Sequence, residues 1–151
     1  MSIKTILNYL PISPLLDTAG QPNTKQLHAL GAEGYRCVIN LAMHNSDNAV
    51  AEEAQILQSN GISYHHIPVP FDAPQLDQFH QFCDIMRTNA NCKTLVHCAL
   101  NMRVSVFVAL YRIHEQQYPL QQAWEDIRQI WEPDAVWSQF METVLELHPH
   151  V

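Results

Sequence analysis

Positive charge is what this sequence has least of. Eight Lys and Arg stand against fifteen Asp and Glu, for a formal net charge of −7. Nucleic acids and anionic membranes are held by clustered cations, so neither is an expected partner. An anionic ligand would have to be drawn in by a few aimed donors instead of a broad field. Long apolar runs are missing as well: no stretch reaches the roughly 18 to 20 residues that a membrane span needs. The opening Met1-Ser2-Ile3-Lys4-Thr5 is not followed by an apolar region with a cleavage site, so no signal peptide is read and a cytoplasmic location is expected. No CxxC occurs among Cys37, Cys83, Cys92 and Cys98. Metal-type spacing is therefore lacking, no cofactor is expected, and the four thiols should be free in a reducing compartment. His65 and His66 are adjacent and would face opposite ways on a strand, which makes a poor chelate. Internal repeats, low-complexity tracts and Gly/Ser linkers are also lacking, so residues 1–151 read as a single domain.

What is present is a globular composition, 47% apolar and 15% charged. Strand-like and helix-like segments alternate. A short strand over 15–18 ends at the turn cluster Ala19-Gly20-Gln21-Pro22, and Asn23 or Thr24 can cap a helix reaching about residue 32. The apolar, partly β-branched run 36–41 reads as a strand. A helix over about 48–59 follows, stopped by Asn60-Gly61. Residues 62–69 read as a strand cut short by Pro68 and Pro70. Leu76, Phe79, Phe82, Cys83 and Met86 have helical spacing. Lys93 to His97 is a brief central strand, and 104–113 is a helix apolar on nearly every face, hence buried. Two more helices fall near 120–130 and 135–147. Trp124, Trp131 and Trp137 suit helix packing, and His148-Pro149-His150 reads as a frayed end. The pattern predicts an α/β fold: three layers, with a mainly parallel central sheet of four to five strands flanked by helices. Ligands of such sheets sit beyond the carboxyl ends of the strands.

The chemistry should therefore lie in the loop after residue 97, His97-Cys98-Ala99-Leu100-Asn101-Met102-Arg103-Val104-Ser105. A chain leaving a central strand and turning into a helix N-terminus presents unpaired N–H groups to a common spot, and the helix dipole adds to their field. That field favours thiolate over thiol at Cys98. Arg103 can grip two oxygens of an oxyanion in its planar fork. Ser105 can donate a hydroxyl hydrogen bond to the sulfur from the first helical turn. His97 reads as an orienting partner bonding loop carbonyls.

His-Cys, a tight loop, Arg and Ser between a strand and an apolar helix resemble the phosphate loop of cysteine-dependent protein tyrosine and dual-specificity phosphatases. Ala19-Gly20-Gln21-Pro22, Gly34 to Leu41, Tyr64 to Val69 and Leu95 to Cys98 follow the layout of small bacterial proteins of that kind, so the resemblance runs from about 15 to 113. It implies hydrolysis of a phosphate monoester, on a phosphoprotein or a small phosphate, through a phosphocysteine. Cys98 would be the nucleophile, with Arg103 and the loop around His97, Ala99, Leu100, Asn101, Met102 and Val104 as the binding site for a phosphorylated substrate or phosphate-like anion. Asp72 would be the general acid, in Ile67-Pro68-Val69-Pro70-Phe71-Asp72, with Asp77 in reserve. An Asp before Ala-Pro is also ordinary turn chemistry.

The pattern departs from the family's in two places. Four residues, not five, separate Cys98 from Arg103, and Val104 intervenes before Ser105. Asn101 stands where the family has Gly; Asn is the non-Gly residue best suited to positive φ. Moving an arginine by one helical position re-aims it by roughly 100°. Two other functions stay open on the sequence: a rhodanese-like sulfurtransferase, whose loop commonly has four residues before Arg, and a weak pseudo-phosphatase that serves as an anion-binding module.

Overall fold

The computed structural model describes residues 3–147; the His148–His150 expectation lies outside them. A short 3-10 helix, Ile3–Thr5, leads into β1 (Leu10–Ser13) and β2 (Leu16–Ala19). Then come α1 (Thr24–Ala29), β3 (Cys37–Asn40), α2 (Glu53–Ser59) and β4 (Ser63–His66). The chain continues through α3 (Leu76–Thr88), β5 (Thr94–His97), α4 (Met102–Gln116), α5 (Leu120–Arg128) and α6 (Ala135–Leu147). The five strands form one sheet in the order β1-β2-β5-β3-β4, parallel throughout except for the β1–β2 pair. The expected α/β architecture is the one observed. Among the described residues no helix is long and apolar enough to cross a membrane.

Alternation along the strands feeds two cores, one on each face of the sheet. Cys37, Ile39 and Val96 point to the side covered by α3 to α6, where Phe79, Phe82, Phe107 and Trp137 meet. Val38 and Leu95 point to the other, against Leu27, Leu30, Ile56 and Leu57. β5 is the middle strand, paired with β2 on one side and β3 on the other. Its last residue, His97, is level with Ala19 and Asn40. Three parallel strands thus end in register, and Gly20, Leu41 and Cys98 leave the sheet along one rim.

Several boundaries differ from the sequence reading. β1 was not expected: it is only four residues long, contains Pro11, and lies at the sheet edge, where a missing N–H costs nothing. The helix expected over 48–59 begins only at Glu53, and Asn48 before it bonds the Ala99 carbonyl on the rim instead. β4 ends at His66 because Pro68 and Pro70 cannot donate to a ladder. α1 is shorter than expected, held by an Asn23–Gln26 capping box. α4 is longer than expected, running from Met102 to Gln116.

Candidate active site

The loop from Cys98 to Asn101 bridges β5 and α4, and its carbonyls are all taken. The Cys98 oxygen faces His97 Nδ1 at 3.2 Å. The Ala99 oxygen accepts from Gln21 N and from Asn48 Nδ2, both at 3.1 Å. The Leu100 oxygen accepts from Asn8 Nδ2 at 3.0 Å, and the Asn101 oxygen from Ser105 N at 2.9 Å. Across a trans peptide the C=O and the next N–H point in opposite directions. Tying the carbonyls outward therefore aims the amides of residues 99–102 inward. None of the N–H groups from Ala99 to Val104 has a protein acceptor among the described residues. Unpaired amides at a strand-to-helix turn are the donors that an anion cradle needs.

Asn101 makes the turn. It is the N-cap of α4 with φ 68°, in the left-handed region. Its amide nitrogen donates to Asn8 O (2.9 Å) and Thr18 Oγ1 (3.1 Å), which anchors the turn to β2 and the N-terminal segment. Gly20 lies directly against the loop: a Cβ there would sit 2.7 Å from Ala99 O and 3.1 Å from Leu7 O.

Cys98 and Arg103 line one open cavity of about 260 Å³, together with Phe71, Ala99, Leu100 and Met102. Cys98 is 1% exposed and Arg103 7%. Helix α4 starts at Met102, so Arg103 sits in its first turn. Its Nη1 donates to Val69 O at 2.9 Å, while its buried Nε has no partner among the described residues. A buried guanidinium N–H left unpaired is costly unless a ligand supplies the acceptor. Phe71 forms the facing wall, its ring 5.9 Å from the guanidinium carbon. The wall is itself held: Trp137 Nε1 donates to Phe71 O at 2.7 Å, and the Phe71 ring packs on Trp131 and Trp137. Trp131 and Trp137 thus pack around the site, whereas Trp124 packs on the core and under Arg128.

Other expected residues lie elsewhere. Ser105 makes no bond to the sulfur: its hydroxyl donates to Met102 O at 2.6 Å and accepts from Trp131 Nε1 at 3.0 Å. Its one proton is given to a carbonyl in this arrangement. His97, Asn101 and Val104 have fully buried side chains outside the cavity lining. Asn101 and Val104 could meet an anion only through their amides, and the His97 ring contacts Glu53 and the Cys98 carbonyl. Asp72 is exposed and follows Phe71, without lining the cavity; Asp77 is exposed in the first turn of α3. Sequence reasoning missed Glu53, whose Oε2 lies 2.5 Å from His97 Nε2 and whose Oε1 accepts from Gln21 Nε2 at 2.8 Å. No local signal could have found it, since the contact spans forty-four residues. The same holds for Phe71, 37% exposed and placed by its contacts with Trp131 and Trp137.

This geometry, an amide cradle with a thiol and a guanidinium at the end of a central parallel strand, is that of the cysteine-dependent phosphatase fold. Residues 15–141 match the family described as a dual-specificity/tyrosine phosphatase fused to NAD+ kinase, and the chain belongs to that family. Among solved structures, a DUF442 protein from Shewanella putrefaciens CN-32, provisionally named a phosphatase, is 27% identical with a TM-score of 0.88. That match covers 98% of this chain and 97% of the other. Tk-PTP in its active form shares the fold at 20% identity and TM-score 0.75, covering 95% of this chain and 98% of its own. TpbA of P. aeruginosa does so at 20% and 0.73, covering 94% and 89%, and a Cys-to-Ser form of TpbA has been solved with phosphotyrosine. Among curated protein sequences none is significantly similar.

Proposed function

We propose that this protein hydrolyses a phosphate monoester through a phosphocysteine formed on Cys98. The observation that supports the reading is that Cys98 and Arg103 line one cavity, beside loop amides that have no acceptor among the described residues. The thiolate attacks phosphorus and the bond to the leaving oxygen breaks. Arg103 and the amides of residues 99–103 hold the equatorial oxygens, where charge concentrates in the transition state. Asp72 gives its proton to the leaving oxygen, then takes one from the water that displaces phosphate from sulfur. The substrate is a phosphorylated side chain or a small phosphate ester, as phosphotyrosine is bound by TpbA. Family and fold favour phosphoryl over sulfur transfer.

One observation favours a weaker catalyst that mainly binds anions: Arg103 Nη1 already serves Val69 O, so its fork is partly occupied. Release of nitrophenolate from p-nitrophenyl phosphate distinguishes the two. Turnover should vanish in Cys98→Ser while phosphate binding survives, and Arg103→Ala should weaken both, lowering kcat by about 10²–10³. Full activity in Cys98→Ser rejects the mechanism. Phosphate binding without turnover in the unmodified protein supports the binding module.

A further inference from the structure

Behind the loop, facing away from the cavity, lies a buried acid–base pair that phosphate hydrolysis as described does not use. His97 is 0% exposed and Glu53 3%. The imidazole stands between two acceptors, the Glu53 carboxylate at Nε2 and the Cys98 carbonyl at Nδ1. A neutral imidazole carries one N–H and can satisfy only one of them; the imidazolium satisfies both. Gln21 fixes the second carboxylate oxygen, so Glu53 has little freedom to turn away.

We propose that Glu53 is a positioning residue that holds His97 as an imidazolium and acts through it on the Cys98 loop. Two effects follow from the geometry. The Nδ1–H bond fixes the Cys98 carbonyl, and the antiparallel peptide then fixes the Ala99 amide toward the anion. The pair is also a buried dipole whose positive end lies against the Cys98 carbonyl, with the carboxylate on the far side of the ring. In a poorly solvated setting that orientation favours the ionised sulfur. The use of the device in turnover rests on the phosphatase reading; its effect on the sulfur does not.

The neighbouring charges agree with this. Burial alone would raise the Glu53 carboxyl, but the charge and hydrogen bond of His97, the Gln21 bond and the charge of His66 hold it below its ordinary value. Tyr64 on β4, pushed up to about 12 by burial and then by the Glu53 charge, faces an ionised carboxylate. The groups around the pair are thus Gln21 from the turn after β2, His66 and Tyr64 from β4, and the Cys98 carbonyl from the loop. A bridge that only stabilises the fold would leave the sulfur's reactivity untouched.

The test is the rate of iodoacetamide labelling of Cys98 in the full chain, read by peptide mass so that the other three thiols are separated. In Glu53→Gln the rate at pH 6 should fall about tenfold while the rate at pH 9 stays unchanged. Glu53→Asp should recover part of the loss. In turnover assays kcat should fall with little change in KM, and the acid limb of the pH profile should move upward. Labelling unchanged at pH 6, or lowered equally at both pH values, overturns the proposal. Should Glu53→Gln fail to fold, nitrogen chemical shifts of His97 in the unmodified protein decide: two protonated ring nitrogens at pH 7 support it, and a neutral ring overturns it. A protein with no phosphatase activity but with the labelling shift would sink the hydrolase reading and leave this one standing.

Discussion

Single residues at this site are chosen by what their neighbours leave room for. Gly20 has no alternative, because any side chain there meets the carbonyl of Ala99 at a distance that real Cβ atoms do not adopt. Gly20→Ala should push the loop outward, costing about 1–3 kcal/mol in urea denaturation and most of the anion affinity; phosphate titration of the folded variant checks the second part. Asn101 was readable beforehand, since a residue in a glycine position must tolerate positive φ, and it does so at 68°. Ser105 was not. Its spacing from Cys98 fits the family, but its direction is set by Met102 O and by Trp131, twenty-six residues further along. Spacing names candidates, whereas aim depends on contacts that a linear pattern does not hold.

At the scale of elements, the segment between β4 and α3 is the other half of the site. Val69 O is tied to Arg103 and Phe71 O to Trp137, so the stretch that carries Asp72 is pinned on both sides of Pro70. Asp72 itself makes no hydrogen bond among the described residues and is exposed, as a group that must exchange protons with water and ligand can be. Asp72→Asn should slow turnover of alkyl phosphates by about 10²-fold and p-nitrophenyl phosphate far less, because nitrophenolate leaves without a proton. An equal rate for both would return the role to Asp77 or to water. β5 and α4 were legible from their apolar runs. β1 was hidden by its length and by Pro11, and the start of α2 by the contact of Asn48 with Ala99 O, fifty-one residues away.

Over the whole molecule, β5 is enclosed on both faces and both edges, so its carboxyl end is a rigid platform for the loop. Rigidity there is also electrostatic. Glu53 titrates lower in the folded chain than its ordinary value of 4.5, so it adds stability above that value. This stability is lost as pH falls through the lowered folded value. Urea midpoints should therefore drop more steeply between about pH 5 and pH 3 in the unmodified protein than in Glu53→Gln, which should be about 3 kcal/mol weaker at pH 7. Parallel slopes would mean that another carboxylate governs acid unfolding. Asn8, at last, is a two-way knot. It gives its amide proton to Leu100 O and receives one from Asn101 at its own carbonyl, while Leu7 O takes the Gly20 N–H. Tension applied to residues 3–9 must reach any guest of the loop, and a guest that tightens the loop must in turn quiet that segment, by the same free energy in either direction.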